Sequence, residues 1–265
     1  MKKTTITYLL KKTWNTLSEN IWIFLPIIFL FYFVPTTIYS IYNIYNPLEE
    51  ELLINPITNT INTDYLINYF TTHSIIGILI TLLTIYGGLV ITYFVIKQKE
   101  IKSLNEVMKK TLRIYPKILL LFLLITLITI PLYLLLIIPG IIFSIYVIFS
   151  QHIIIDKNKN IIQSMKQSYK IIKSKWWKTF GKLLFLVLIT MIAVMTLTMI
   201  NTSIFFAIQG TSILTEGLTK TNLIISEIIT AAGITLTALF SIIFTAHLYQ
   251  GMRDEHNKKN KKIKK

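Results

Sequence analysis

The chain has 265 residues, 53% of them hydrophobic and only 15% charged, yet it carries 27 Lys and Arg against 12 Asp and Glu, a formal net charge of +15. An ordinary soluble domain carries roughly 25% charged residues, so a chain with a mean hydropathy of +0.61 would expose too much hydrocarbon to stay dissolved. The same apolarity excludes a disordered chain and argues against a soluble nucleic-acid binder. With no cysteine, disulfides, Cys-ligated zinc, iron–sulfur clusters and Cys nucleophiles are excluded as well.

A helix needs about 20 apolar residues to cross a bilayer core of about 30 Å. Residues 1–20 hold Lys2, Lys3, Lys11 and Lys12. In 5–17, Ile6, Leu9, Leu10, Thr13 and Leu17 recur at helical spacing, which predicts an amphipathic helix. The first span is predicted at about 21–45, with Pro26 and Pro35 expected to kink it. No small-residue cleavage site follows, so it is expected to remain as an anchor. The outer loop 46–72 is acidic. Its Glu49, Glu50 and Glu51 read as a solvated charge run, a cation site being the alternative.

The second span is predicted at about 74–96, and its Gly87-Gly88 permits close helix packing. Residues 97–117 hold seven basic residues, and 102–115 repeats the amphipathic pattern through Leu104, Val107, Met108, Leu112 and Tyr115. The third and fourth spans, about 118–138 and 141–155, have no polar loop between them. One helix over 118–155 would be about 57 Å long, so Pro139-Gly140 reads as the tip of a tight helical hairpin, with a broken re-entrant element as the alternative. Pro131 is expected to kink the third span. Residues 156–182 hold eight basic residues, and 161–176 is amphipathic through Ile161, Met165, Tyr169, Ile172 and Trp176. Trp176-Trp177, like Trp14 and Trp22, sit where belt aromatics belong. The fifth and sixth spans fall at about 183–208 and 223–249. A basic cytoplasmic tail, 251–265, follows a single membrane domain, 1–250.

Of the 27 basic residues, 26 lie in the four segments 1–20, 97–117, 156–182 and the tail, and only Lys220 lies elsewhere. Six spans put all four segments on one side, and the positive-inside rule makes that side the cytoplasm. The expected fold is therefore all-α: a polytopic membrane protein with six transmembrane helices and three cytoplasmic interfacial amphipathic helices, both termini inside. The apolar faces of those three helices are expected in acyl chains and their lysines at headgroups. Lys109, Lys110, Arg113, Lys166, Lys170, Lys173, Trp176 and Trp177 are the candidate lipid-interface residues.

Leu9-Leu10-Lys11-Lys12-Thr13-Trp14 parallels Val107-Met108-Lys109-Lys110-Thr111-Leu112 and Ser164-Met165-Lys166-Gln167-Ser168-Tyr169. One reading is a threefold unit of interfacial helix plus hairpin over 1–97, 98–155 and 156–250. The other is that any basic amphipathic helix before a span looks like this. No nucleophile–base pair, metal-ligand spacing or nucleotide-binding loop appears. The expectation is a non-enzyme with no cofactor and no metal. His152 beside Gln151 reads as an interfacial histidine, and Glu227 lies near the outer end of its span, where it reaches water.

The motifs Arg113-Ile-Tyr-Pro-Lys117, Ile137-Ile-Pro-Gly-Ile-Ile142, the polar ending at Gln151 and Asp156, and Gln163-Ser-Met-Lys-Gln-Ser168 followed by Trp176 carry a resemblance. Over Gly87 to Phe185 the chain resembles the YciC-like six-span inner-membrane proteins of bacteria. It is more distantly similar to the membrane domains fused to some glycerophosphodiester phosphodiesterases. The resemblance implies a multi-pass inner-membrane protein and supplies no catalytic residues. The heavy use of Ile, Lys and Asn suits an AT-rich bacterial genome. The expected role is membrane organisation, lipid interaction or assembly, with anionic lipids at the cytoplasmic face as partner and no nucleic acid. A transporter or channel for a small neutral or anionic solute is the alternative.

Overall fold

The computed structural model describes residues 4–49, 60–101, 103–209 and 219–263. Glu50, Glu51 and Glu216 among the acids, and Lys2, Lys3, Lys102, Lys264 and Lys265 of the basic segments, lie outside them. The described residues are helical, with no strand among them. In chain order they are α1 (Ile6–Glu19), α2 (Ile21–Ile28), a π-helical turn (Phe29–Phe33), α3 (Val34–Tyr45), α4 (Thr63–Lys97), α5 (Leu104–Leu135), α6 (Ile137–Val147), α7 (Ser150–Lys157), α8 (Ile161–Ile172), α9 (Trp176–Gln209) and α10 (Lys220–Ile263). Among the described residues, six helical stretches are long and apolar enough to cross a membrane: Ile21–Tyr45, Thr63–Glu100, Leu104–Leu135, Ile137–Lys157, Ile161–Ile204 and Lys220–Lys259. Each predicted span falls on one of them in order.

Local chemistry explains most helix ends. Ser103 caps α5, its hydroxyl accepting from the Glu106 amide at 3.3 Å, the geometry a Ser-x-x-Glu capping box requires. Asn158 ends α7 in the left-handed region (φ 48°), which Asn tolerates because its short polar side chain bonds locally. Two residues later the Asn160 side chain opens α8 by accepting from the Gln163 amide at 2.8 Å. Asn20 separates α1 from α2: its side chain donates to the Thr16 carbonyl, and its own carbonyl accepts from Ile23 and Phe24.

Pro35 does not break the first span. It removes one backbone donor, and the π-helical turn just before it absorbs the mismatch, with the Val34 amide reaching back five residues to the Phe29 carbonyl. The Thr36 hydroxyl donates to the Tyr32 carbonyl at 2.6 Å.

Three sequence expectations are corrected. The chain reverses between the third and fourth spans at Leu136, which is extended, and not at Pro139-Gly140, which lie in the first turn of α6. A continuous helix would drive the Pro139 ring into the Leu135 carbonyl four residues earlier, so α5 stops there. Once α6 restarts, Pro139 lacks only a donor that a first turn leaves unbonded in any case. Gly140 serves a close approach: a Cβ there would come within 2.6 Å of the Tyr133 ring.

Second, 102–115 is not a separate interfacial helix. Residues from Leu104 run unbroken through Pro116 into the third span. One lost hydrogen bond at Pro116 costs less than the two sets of unpaired end groups that a break would create. Third, the tail does not begin a separate segment at 251, because α10 continues to Ile263 and buries Gly251 and Met252.

The described chain forms two compact units. Unit 1 comprises Met1–Leu25, Gly88–Ile192 and Thr237–Lys265, and unit 2 comprises Pro26–Gly87 and Ala193–Leu236. Unit 1 contains a core built from Leu9, Phe149, Ile153, Ile171, Ile172, Phe244 and Tyr249. In unit 2, a Cβ at Gly87 would sit 2.5 Å from that of Phe31, so the glycine is what lets those two backbones approach. Along α5, Leu120, Leu123, Leu127, Ile130 and Leu134 form one exposed apolar stripe, a surface compatible with a helix facing hydrocarbon.

Candidate functional site

The three similar hexapeptides occupy one pattern of burial. Their first and fifth residues, Leu9 and Thr13, Val107 and Thr111, Ser164 and Ser168, are completely buried. Their third residues, Lys11, Lys109 and Lys166, are exposed. Their sixth residues, Trp14, Leu112 and Tyr169, are 63%, 59% and 39% exposed. Residues four apart share a helix face, and so do residues three apart. Each hexapeptide thus packs one narrow face against protein and turns outward an adjoining pair, a lysine and a large apolar side chain. This corrects the expectation that the whole apolar face meets acyl chains: Leu9, Val107 and Ile172 are interior.

The third hexapeptide also braces the chain between α6 and α7. The Ser168 hydroxyl donates to the Tyr146 carbonyl at 2.6 Å and accepts from the Phe149 amide at 3.2 Å. It thereby serves one backbone carbonyl and one backbone amide beside the break between the two short helices.

The residues that tie unit 1 together lie on α10 between His247 and Glu255. Gln250 donates to the Val95 carbonyl at 3.1 Å, so its side-chain oxygen is the acceptor for Lys12 at 3.2 Å and for His247 Nδ1 at 3.1 Å. That network puts the His247 proton on Nδ1 and leaves Nε2 to accept from the Thr16 hydroxyl at 2.9 Å. One turn on, Asp156 Oδ2 accepts from the Tyr249 hydroxyl at 2.7 Å and from Arg253 Nη1 at 3.0 Å. Arg253 also pairs with Asp254 at 3.1 Å. Glu255 accepts from the Thr4 hydroxyl and pairs with Lys175. His152 is not at an interface: it is 1% exposed, packed between Phe149 and Tyr249.

The predicted interface residues divide into three sets. Lys166 and Lys170 share a polar groove of about 470 Å³ with Lys159 and His256. Lys173, Trp176 and Trp177 line an apolar groove of about 700 Å³ with Ile138 and Tyr146, where Lys173 stands 5.6 Å from the Tyr169 ring centre and Trp176 stacks on Phe180 at 5.3 Å. Lys109, Lys110 and Arg113 join neither groove. All three are exposed, and Lys110 pairs with Glu106 at 2.6 Å.

Sequence reasoning missed the Asp156–Tyr249–Arg253 and Thr4–Glu255–Lys175 contacts. Their partners lie 80 or more positions apart, except for Asp254 beside Arg253, so no local pattern links them. One signal was available: acids are rare in the basic segments, so each has many candidate partners. Among the described residues no group of three His, Asp or Glu is placed to hold a metal ion.

The model of one family, described as a domain of unknown function (DUF7847), matches residues 15–252. No curated protein and no solved structure matches the chain.

Proposed function

The chain belongs to the DUF7847 family, which carries no assigned biochemical role, so the role has to come from the residues themselves; we propose a multi-pass protein of a bacterial inner membrane, both termini cytoplasmic, that engages anionic lipid through its basic helices and serves membrane organisation or assembly without catalysis. The observation that carries this reading is the shared burial pattern of the three hexapeptides. Each presents an exposed lysine beside an exposed large apolar side chain on a helix whose opposite face is buried. Such a pair is costly in water and well placed at a headgroup boundary, where the apolar side chain enters the acyl region and the lysine stays at the phosphates. The likeness to the YciC-like inner-membrane proteins supports the same location.

The alternative, a solute transporter, has weaker support. In unit 2, Asn201 donates to Ser226 at 2.7 Å, and Thr81, Thr198 and Thr202 bond back to their own helices. These polar groups serve helix packing and leave little to line a pathway.

The test is energy transfer from the native tryptophans to dansyl-labelled lipids in vesicles holding the full-length protein. Transfer to dansyl-phosphatidylglycerol is expected to exceed that to dansyl-phosphatidylcholine severalfold at low salt. The two are expected to converge near 1 M salt, where the screening length falls to about 3 Å. Equal transfer at low salt would overturn the reading.

A further inference from the structure

The start of α9 borders a second groove, of about 910 Å³, that the sequence reading did not single out. Lys178, Lys182, Lys258 and Lys259 line it. Two acids line it too, and both are already engaged: Glu255 by Lys175 and Thr4, and Asp254 by Arg253. Among the described residues none of the four lysines has a carboxylate within ion-pair distance. The groove therefore gathers four lysines that form no ion pair, with Glu255 acting on Lys182 only through space while it is paired with Lys175.

Its floor is equally unusual. Gly181 lies on α9 with nothing within 4 Å of where a Cβ would stand, so packing does not require a glycine there. Trp177, Gly181, Leu184 and Leu188 succeed one another at helical spacing and are all exposed. The missing side chain makes a notch in this apolar stripe, between an exposed tryptophan and exposed leucines, directly beside Lys178 and Lys182. The stripe leads from the lysines along the helix.

We infer that this groove is a binding site for one anionic phospholipid, its phosphate held by Lys178, Lys182, Lys258 and Lys259 and an acyl chain lying in the Gly181 notch along Leu184 and Leu188. The proposal rests on the lipid-engaging reading above and narrows it to one place. An anion without a tail would use the four lysines but not the notch. A neutral lipid would use the notch but leave the lysines unmatched. Only a ligand with both parts answers the whole surface, and each lysine near an anionic headgroup favours binding by roughly fivefold.

Native mass spectrometry of the full-length protein, released from mild detergent with phosphatidylglycerol or phosphatidylcholine, tests the site. The wild type is expected to retain one phosphatidylglycerol tightly and no phosphatidylcholine. Lys178→Gln/Lys182→Gln is expected to weaken retention by on the order of 25-fold. Gly181→Leu, whose Cβ meets no neighbouring atom and which removes a helix-interior glycine, is expected to keep the fold, read by its melting temperature, and to lose the lipid. Lys220→Gln, which is not among the residues lining the groove, is the control. Retention unchanged in both groove variants would overturn the site while leaving general anionic-lipid preference intact. No preference in the wild type would remove both readings. Displacement of phosphatidylglycerol by millimolar inorganic phosphate, with phosphate alone raising the melting temperature as much, would make this a phosphate site and overturn the lipid assignment.

Discussion

Arg253 shows how charge is used at the scale of single residues. On the side read as cytoplasmic, six acids stand among 26 basic residues, and five of them are paired: Glu100 with Lys97, Glu106 with Lys110, Asp156 and Asp254 with Arg253, and Glu255 with Lys175. The two exposed pairs formed within one helix or turn, Lys97–Glu100 and Lys110–Glu106, contribute little. Asp156 differs, because its partners come from α10 and it also takes the Tyr249 hydroxyl. Removing Arg253 leaves a largely buried carboxylate short of a donor, so Arg253→Met is expected to cost about 1–3 kcal/mol. Tyr249→Phe should cost about 1 kcal/mol. Combining Asp156→Asn with Arg253→Met should cost less than the sum of the two singles, since the three groups form one network. Thermal unfolding in detergent measures all of these, and strict additivity would contradict the shared network.

At the scale of elements, the short helices depend on groups supplied from elsewhere. α6 has 11 residues and α7 has eight, so neither crosses a bilayer core alone. At their junction Ser168 on α8 bonds the Tyr146 carbonyl and the Phe149 amide. Ser168→Ala is therefore expected to destabilise unit 1 by about 1–3 kcal/mol and to raise hydrogen exchange at the Phe149 amide. Unchanged exchange there would show that the hydroxyl does not hold the junction.

Legibility at this scale follows the range of the cause. The Ser103 and Asn160 caps act through three residues and the Asn158 terminator through four, so their cause is local although the sequence reading did not name them. The reversal at Leu136 was misplaced by three residues because the sequence reading gave Pro139 the role of a turn and not that of a first-turn residue. The continuity of α5 through Pro116 was missed because the basic amphipathic pattern of 102–115 reads locally as distinct from the apolar run after 117, whereas the cost of a break, a second pair of unsatisfied helix ends, belongs to the whole helix. The hexapeptide likeness was visible as letters, but only the structure gives its positions the same burial in all three copies.

For the whole molecule, the six apolar stretches follow from length and hydropathy, and the uneven charge distribution is the basis of the orientation proposed for them. The absence of cysteine makes that orientation simple to test, because any introduced cysteine is the sole thiol. Single cysteines in place of Lys109, Lys170 and Lys258 are expected to react with an impermeant maleimide only after the inner face is opened. Cysteines in place of Asp64 and Lys220 should react in intact cells. The reverse pattern would overturn the topology and, with it, the assignment of the basic grooves to the cytoplasmic leaflet.

By itself the sequence determined the class of the molecule: all-helical, with six stretches able to cross a membrane, basic residues gathered in four segments and half of the acids outside those segments. These properties are sums over neighbouring residues, and a linear reading recovers such sums. Tertiary structure alone decided which cations form ion pairs. Lys175 and Arg253 read like any other basic residues until Glu255 and Asp156 are folded against them. Lys178, Lys182, Lys258 and Lys259 become a candidate site only because the end of α10 lies beside the start of α9. Charge pairing over 80 to 97 positions is set by the packing of apolar helix faces, and that packing leaves no local trace in the chain.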